Sequence, residues 1–277
     1  MSNVIEIKNF SKNYDSVKAV DNLNLSIEKG KIVGFVGKNG AGKSTLIRSI
    51  MNFIKPTSGK IKIFGMDSQL NSKEIKNRCA YVPSESIFYD GLSGKELLEF
   101  SIKFSSATWE EVEKLSNYFE FDLNKKIEDL SFGNKKKLSL IQAFLKKAEL
   151  LIFDEPTNGL DPLMQKKFFK LLLDEKNSGK TIFLSSHNLV DVEEYCDSVA
   201  ILKNGILVDY VQMDEVSICN KYQVTYKEKY GELISFEYED EINDLMKKLN
   251  KLNLEYIEIK QKKVSDHFIS YYKEEEL

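Results

Sequence analysis

Short apolar runs separated by glycine and proline turns fill the first third of the chain. Val4-Ile5-Glu6-Ile7-Lys8-Asn9-Phe10 alternates as a strand does, and Leu23, Leu25 and Ile27 give one face to a second strand within Ala19 to Ile27. The turn Glu28-Lys29-Gly30-Lys31 leads into the continuous apolar run Ile32 to Val36, which reads as a buried strand. Leu46 to Met51 reads as a helix, stopped by Lys55-Pro56-Thr57-Ser58-Gly59. Lys60 to Gly65 and Cys79 to Pro83 are further strands, the second ended by its proline. From Ser84 the period changes. Gly94 to Phe104, Thr108 to Phe119 and Asn134 to Lys147 carry helical spacing, so a helical insertion interrupts an α/β domain. Strands return with Leu150 to Glu155 and Thr181 to His187, and Asn204-Gly205 marks a hairpin within Ser198 to Tyr210.

Beyond Val216 the chain becomes more charged and richer in tyrosine. Tyr222, Val224 and Tyr226 alternate, as do Ile234, Phe236 and Tyr238. Ile242, Leu245, Met246, Leu249 and Leu252 fall on one helical face. Ile257 and Ile259 mark a last strand, and Val264 to Lys273 a last helix. The expected organisation is therefore a main domain over 1–216, with a helical subdomain about 84–147, and a small α+β extension over 217–277.

The candidate chemistry centres on Gly37-Lys38-Asn39-Gly40-Ala41-Gly42-Lys43-Ser44-Thr45, which fits G-x-x-x-x-G-K-[ST] between a strand and a helix. Glycines let the backbone turn tightly and aim N–H groups at phosphate oxygens. The helix start adds unpaired donors and the positive end of its dipole. Lys43 is expected to reach the outer phosphates, and the Ser44 hydroxyl to ligate Mg²⁺. Leu150-Leu151-Ile152-Phe153-Asp154-Glu155 fits the second half of such a site. Asp154 is expected to hold Mg²⁺ through water, and Glu155 to orient and polarise the attacking water. His187 ends a buried strand and is expected at the γ-phosphate. His267 is expected to be structural.

Composition narrows the class. At 277 residues, 42% hydrophobic and 30% charged, the chain has the balance of a globular protein. A net charge of −3 gives no global electrostatic case for nucleic acid. Arg48 and Arg78 are the only arginines, and a solvated helix face is the expected place of Arg48. Three cysteines without a C-x-x-C argue against a disulfide framework or structural zinc and fit a reducing compartment. The start lacks the basic and long apolar regions of a signal peptide, and no apolar run approaches the roughly 18 residues of a membrane span.

Further motifs carry a resemblance. Leu130-Ser131-Phe132-Gly133-Asn134, Pro156-Thr157-Asn158-Gly159-Leu160-Asp161-Pro162 and Ser186-His187-Asn188 follow in the order of the signature, D-loop and switch histidine of ABC ATPases. The chain from Val4 to Val216 resembles the ATP-binding subunit of a bacterial ABC transporter of exporter type. The resemblance implies an α/β P-loop NTPase with a mixed sheet core, an antiparallel β subdomain and a helical insertion. It implies ATP and Mg²⁺ as cofactors, and a pair of subunits, alike or homologous, closing head to tail over two ATP molecules. Tyr14 falls where the family stacks an aromatic on adenine. Ser131 and the Gly133 backbone would meet the γ-phosphate held by the partner, and Asp161 would join the site. A separate transmembrane permease, no nucleic acid, and a peripheral place on the cytoplasmic face of the membrane are the implied partners and location.

Two stretches depart from the family pattern. In the signature, Phe132 replaces a glycine and Asn134 the last residue, while Ser131 and Gly133 are kept; and Ser84-Glu85 stands where the Q-loop glutamine is usual, which makes Glu85 a substitute candidate near the metal. The implied function is ATP hydrolysis that powers export of a drug, antimicrobial peptide or lipid. The alternatives are a nucleotide-binding module with weak hydrolysis, or a soluble ABC ATPase acting on ribosomes or DNA.

Overall fold

The computed structural model of the chain describes residues 3–214 and 222–261. Cys219, His267 and the helix expected over Val264 to Lys273 lie outside them. The chain divides into two compact units, Met1–Tyr210 and Val211–Leu277.

In the first unit, β1 (Asn3–Tyr14) and β2 (Val17–Glu28) form a long antiparallel pair. Ile5 lies opposite Ile27 and Ile7 opposite Leu25. Tyr14 is the last residue of β1. β4 (Ser58–Ile63) pairs antiparallel with β1, and β5 (Met66–Asp67) with β4, giving the sheet order β2-β1-β4-β5.

A second sheet has the order β10-β9-β3-β8-β7-β6. Its strands are β3 (Ile32–Val36), β6 (Cys79–Val82), β7 (Leu150–Asp154), β8 (Thr181–Ser186), β9 (Ser198–Lys203) and β10 (Ile206–Gln212). β6, β7, β8, β3 and β9 run parallel, each pair in register. Val36 pairs with Ser186, and Asp154 with Ser185, so β3, β7 and β8 end along one edge. β9 and β10 are joined by Asn204 and Gly205 at φ 49° and 79°, the paired positive values of a two-residue hairpin turn.

Helix α1 (Lys43–Ile50) lies between the sheets. Its Leu46, Ile47 and Ile50 share one buried cluster with Ile5 and Ile7 of β1 and Val33 and Phe35 of β3. α2 (Ser72–Arg78) precedes β6. The helical part comprises α3 (Gly94–Ile102), α4 (Trp109–Tyr118) and α5 (Phe132–Leu145). Ser93 and Thr108 start α3 and α4 with complete capping boxes, each with glutamate three residues on. α5 begins two residues before the start its apolar spacing suggests, because Ser131 caps it. α6 (Pro162–Asn177) and α7 (Leu189–Tyr195) flank β8 in sequence.

The second unit has β11 (Tyr222–Glu228) between β12 (Leu233–Tyr238) and β13 (Leu254–Gln261), both antiparallel to it. α8 (Ile242–Leu249) places Leu245 and Leu249 in one core with Tyr222, Val224 and Tyr238.

The helical part is tied to the sheet by an aromatic cluster. Phe144 of α5 lies 6.0 Å from Phe153 of β7 and 6.3 Å from Phe168 of α6, and Phe153 and Phe168 meet edge to face at 5.3 Å. Phe168 is fully buried. Replacing it by alanine removes both contacts and leaves a cavity, so Phe168→Ala is expected to cost about 3–5 kcal/mol. Urea unfolding checks this, and Phe168→Leu, which keeps more volume, should lose less.

Candidate active site

The common edge of β3, β7 and β8 carries the predicted motifs. After β3 the chain turns through Gly42 at φ 105°, where an added Cβ would lie 2.3 Å from the carbonyl oxygen of Ala19. A side chain there is therefore excluded both by conformation and by space. α1 then starts with no side-chain cap, whereas Ser93, Thr108, Ser131 and Asp161 cap α3, α4, α5 and α6. The first N–H groups of α1 thus remain for an anion. Lys38, Asn39, Gly40, Gly42, Lys43, Ser44 and Thr45 line a cavity of about 360 Å³ together with Glu155, His187, Ala19, Ser84 and Asn158.

Lys43 is buried. Its ammonium donates to the carbonyl oxygens of Gly37 at 2.6 Å and Lys38 at 3.3 Å, and stands 3.4 Å from Glu155 Oε1. The other oxygen of Glu155 is 2.7 Å from His187 Nδ1. Glu155 itself sits at φ 49°, a left-handed conformation that costs a non-glycine residue about 1–2 kcal/mol. Its carboxylate lines the cavity. Asp154 lies beneath, fully buried. Its Oδ1 accepts from Ser185 Oγ at 2.7 Å, and Ser185 Oγ accepts in turn from Glu155 N–H at 3.0 Å. Asp154 Oδ2 is buried without a hydrogen-bond partner.

The remaining predicted residues fall elsewhere. Gly37 supplies a carbonyl under Lys43, and Ala41 is buried with its carbonyl bound by Gly205 N–H. Tyr14 is 44% exposed, with the Lys12 ammonium 5.0 Å over its ring, and does not line the cavity. Glu85 is exposed and outside the lining, and Ser84 lines it instead, so the structure does not bring Glu85 to the place its sequence position suggested. Arg48 is exposed, as expected.

Ser131, Gly133 and Asp161 also lie outside the lining of this cavity. Ser131 Oγ accepts loosely from Asn134 N–H at 3.3 Å. Asp161 Oδ1 accepts from Met164 N–H at 3.0 Å, and that bond holds its carboxyl below the usual range. Phe132 is the first residue of α5 and has no positive φ. Its ring covers Gly159, where a Cβ would lie 2.4 Å from Cδ1 of the phenylalanine.

Sequence reasoning misses Ser185 and Lys136, and has Asn158 only as part of the D-loop stretch. Ser185 had a readable signal, a polar residue at the end of an otherwise apolar buried strand. Lys136 is fully buried, and its ammonium donates to the carbonyls of Pro83 at 2.9 Å and Ser84 at 2.6 Å. Burial pulls it down to about 8, against the opposing pull of Asp154, Glu155 and Glu85.

A glycine-rich loop, an acidic pair and a histidine on one edge of a parallel sheet define a P-loop nucleoside triphosphatase. Comparisons with known proteins narrow the class. The family model described as ABC transporter matches residues 20–158. The bacitracin transport ATP-binding protein BcrA of Bacillus licheniformis is 37% identical over 233 residues, 82% of this chain and 76% of that protein. A solved ATP binding subunit of an ABC transporter is similar with a TM-score of 0.71 and 31% identity, over 77% of this chain and 91% of that one. The structure of cbiO1 from Clostridium perfringens, part of the ABC transporter complex cbiONQ, is similar with a TM-score of 0.66 and 25% identity, over 78% and 91%. The chain belongs to the ABC transporter family, as an ATP-binding, ATP-hydrolysing transport subunit.

Ser185 joins both acids, so Ser185→Ala leaves Asp154 Oδ1 and Glu155 N–H without their partner. Loss of about 1–3 kcal/mol of stability is expected, read by chemical unfolding. ATP turnover should fall with it, because the Glu155 backbone loses its anchor.

Proposed function

We propose that the chain is the ATP-driven motor of a bacterial exporter, working as a pair of such subunits on a separate membrane protein. The convergence of Lys43, Glu155 and His187 over a buried Asp154 carries this reading. Mg²⁺ fits the donors present. Ser44 lines the cavity, and the unpartnered Asp154 Oδ2 is a hard oxygen of the kind that holds the ion directly or through water. When bound, the ion would neutralise charge on the phosphates.

The protein groups divide the rest of the work. The α1 N–H donors and Lys43 bind the phosphates, and the ammonium exchanges its carbonyl partners for phosphate oxygens. Glu155 polarises the attacking water and accepts its proton. His187 orients the Glu155 carboxylate through the 2.7 Å contact. Ser131 and Gly133 complete the site of a second subunit. The start of α5 supports that role, since its first turn holds no acid and Lys135 and Lys137 follow. Such a helix end favours an anion.

Among the described residues no helix is long and apolar enough to cross a membrane. A second cavity of about 590 Å³ in the same unit is lined by Phe53, Tyr81, Phe88, Phe100 and Phe104, and Ile87 beside it is 91% exposed. An apolar groove of this kind suits a protein partner, and the permease is the one proposed. The chain would then sit on the cytoplasmic face of the membrane. The cargo class is a drug, antimicrobial peptide or lipid. The relative named for bacitracin transport favours a peptide antibiotic.

Glu155→Gln is expected to lower Mg²⁺-dependent ATP turnover by a factor of about 10²–10⁴, the range for a lost general base. The variant should also form an ATP-dependent dimer, measured by light scattering. Equal turnover in both proteins overturns the mechanism. Co-purification with a multi-span membrane protein is expected, and recovery with ribosomes or DNA instead would displace the exporter reading.

A further inference from the structure

A buried ammonium usually pairs with a carboxylate, because an isolated charge is costly away from water. Lys136 instead spends its hydrogen bonds on two main-chain carbonyls, those of Pro83 and Ser84. It reaches them from near the start of α5, the positive end of a helix dipole, where a cation is locally unfavourable. One turn further along α5, Ser139 makes a second tie to the same loop, Oγ to Ser86 Oγ at 2.6 Å. Ser84 lines the nucleotide cavity. The loop that forms one wall of that cavity is therefore held by two residues of the helix that Ser131 caps. Ser84 is itself too short to reach across the cavity, so its position depends on what grips its backbone.

We propose that Lys136 is a positioning residue for hydrolysis: its clasp on the Pro83 and Ser84 carbonyls makes the cavity wall and the start of α5 move as one body. The inference rests on the reading of the cavity as a hydrolysing ATP site. Lys136 touches no reacting atom. It fixes where the wall stands when a second subunit engages Ser131 and Gly133, so engagement at the helix start is felt at the phosphates. The signal passes from the partner to Ser131, along the first turns of α5, through the ammonium, and into the loop at Ser84.

The first test is steady-state ATP turnover with Mg²⁺ for the wild type and Lys136→Met, with kcat normalised to nucleotide-binding sites. Loss of wall positioning is expected to lower kcat by about tenfold or more and to leave KM within about threefold. A kcat within about twofold of wild type, or a higher KM at unchanged kcat, overturns the proposal. A purely structural lysine would lower only the unfolding midpoint, which is measured alongside. The second test needs no variant. Hydrogen exchange on the wild-type protein is followed with and without a non-hydrolysable ATP analogue and Mg²⁺. Segments 83–86 and 132–139 should gain protection together, and a change confined to one of them overturns the proposal. A wild type without ATP turnover refutes the site reading itself, whereas turnover that is indifferent to Lys136 refutes only the clasp.

Discussion

Two carboxylates side by side at the end of a buried strand set the terms for the rest of the domain. Asp154 is fully buried and Glu155 nearly so. Like charges in such a place repel, and each resists leaving water. The fold answers from several directions. Ser185 on the neighbouring strand bonds the first acid and anchors the backbone of the second. His187, just past the same strand, meets one oxygen of Glu155, and Lys43 on α1 faces the other. Lys136 on α5 adds a positive field. None of these groups adjoins the acids in sequence. Only the parallel register that ends β3, β7 and β8 together brings them there.

Helix starts are treated in two ways: some carry a side-chain cap, and α1, like α2 and α8, does not. α3 to α6 close their own N-termini with serine, threonine or aspartate. α1 is left uncapped behind Gly42. A side-chain cap on α1 would satisfy the donors that a triphosphate needs. In place of that local stabilisation, α1 buries Leu46, Ile47 and Ile50 between two sheets. The helix is held by its apolar face, and its end remains available to a ligand.

The parts readable from sequence are those whose cause is local. The phosphate loop declares itself because each residue in it has its own reason, and the strand before and helix after complete the context. The acidic pair is legible for the same reason, as is the Asn204-Gly205 turn. Long-range partnerships are not. The bond between Ser185 and Asp154 spans 31 positions, and that from Lys136 to Pro83 spans 53. A lysine among three consecutive lysines reads as solvated surface, and only the packing of α5 against the loop after β6 buries one of them. Glu85 fails in the opposite way. Its residue type suits a metal, but alternation along the loop turns Ser84 to the cavity and Glu85 to solvent. α6 has a readable cue in Asp161-Pro162, a cap followed by the proline that favours a first helical position.

The two departures from the family pattern meet on one helix. A glycine at 132 would leave Gly159 uncovered, and the phenylalanine there lays its ring across it. Gly133 must stay small, since a Cβ would lie 2.4 Å from the Gly159 carbonyl oxygen. The start of α5 is thus packed against the D-loop on one side and bonded to the wall of the nucleotide cavity on the other. Apolar contact at Phe132 and polar contact at Lys136 and Ser139 constrain the same two turns. A long side chain in the cavity wall is then unnecessary for coupling the wall to the helix, because the helix reaches the wall.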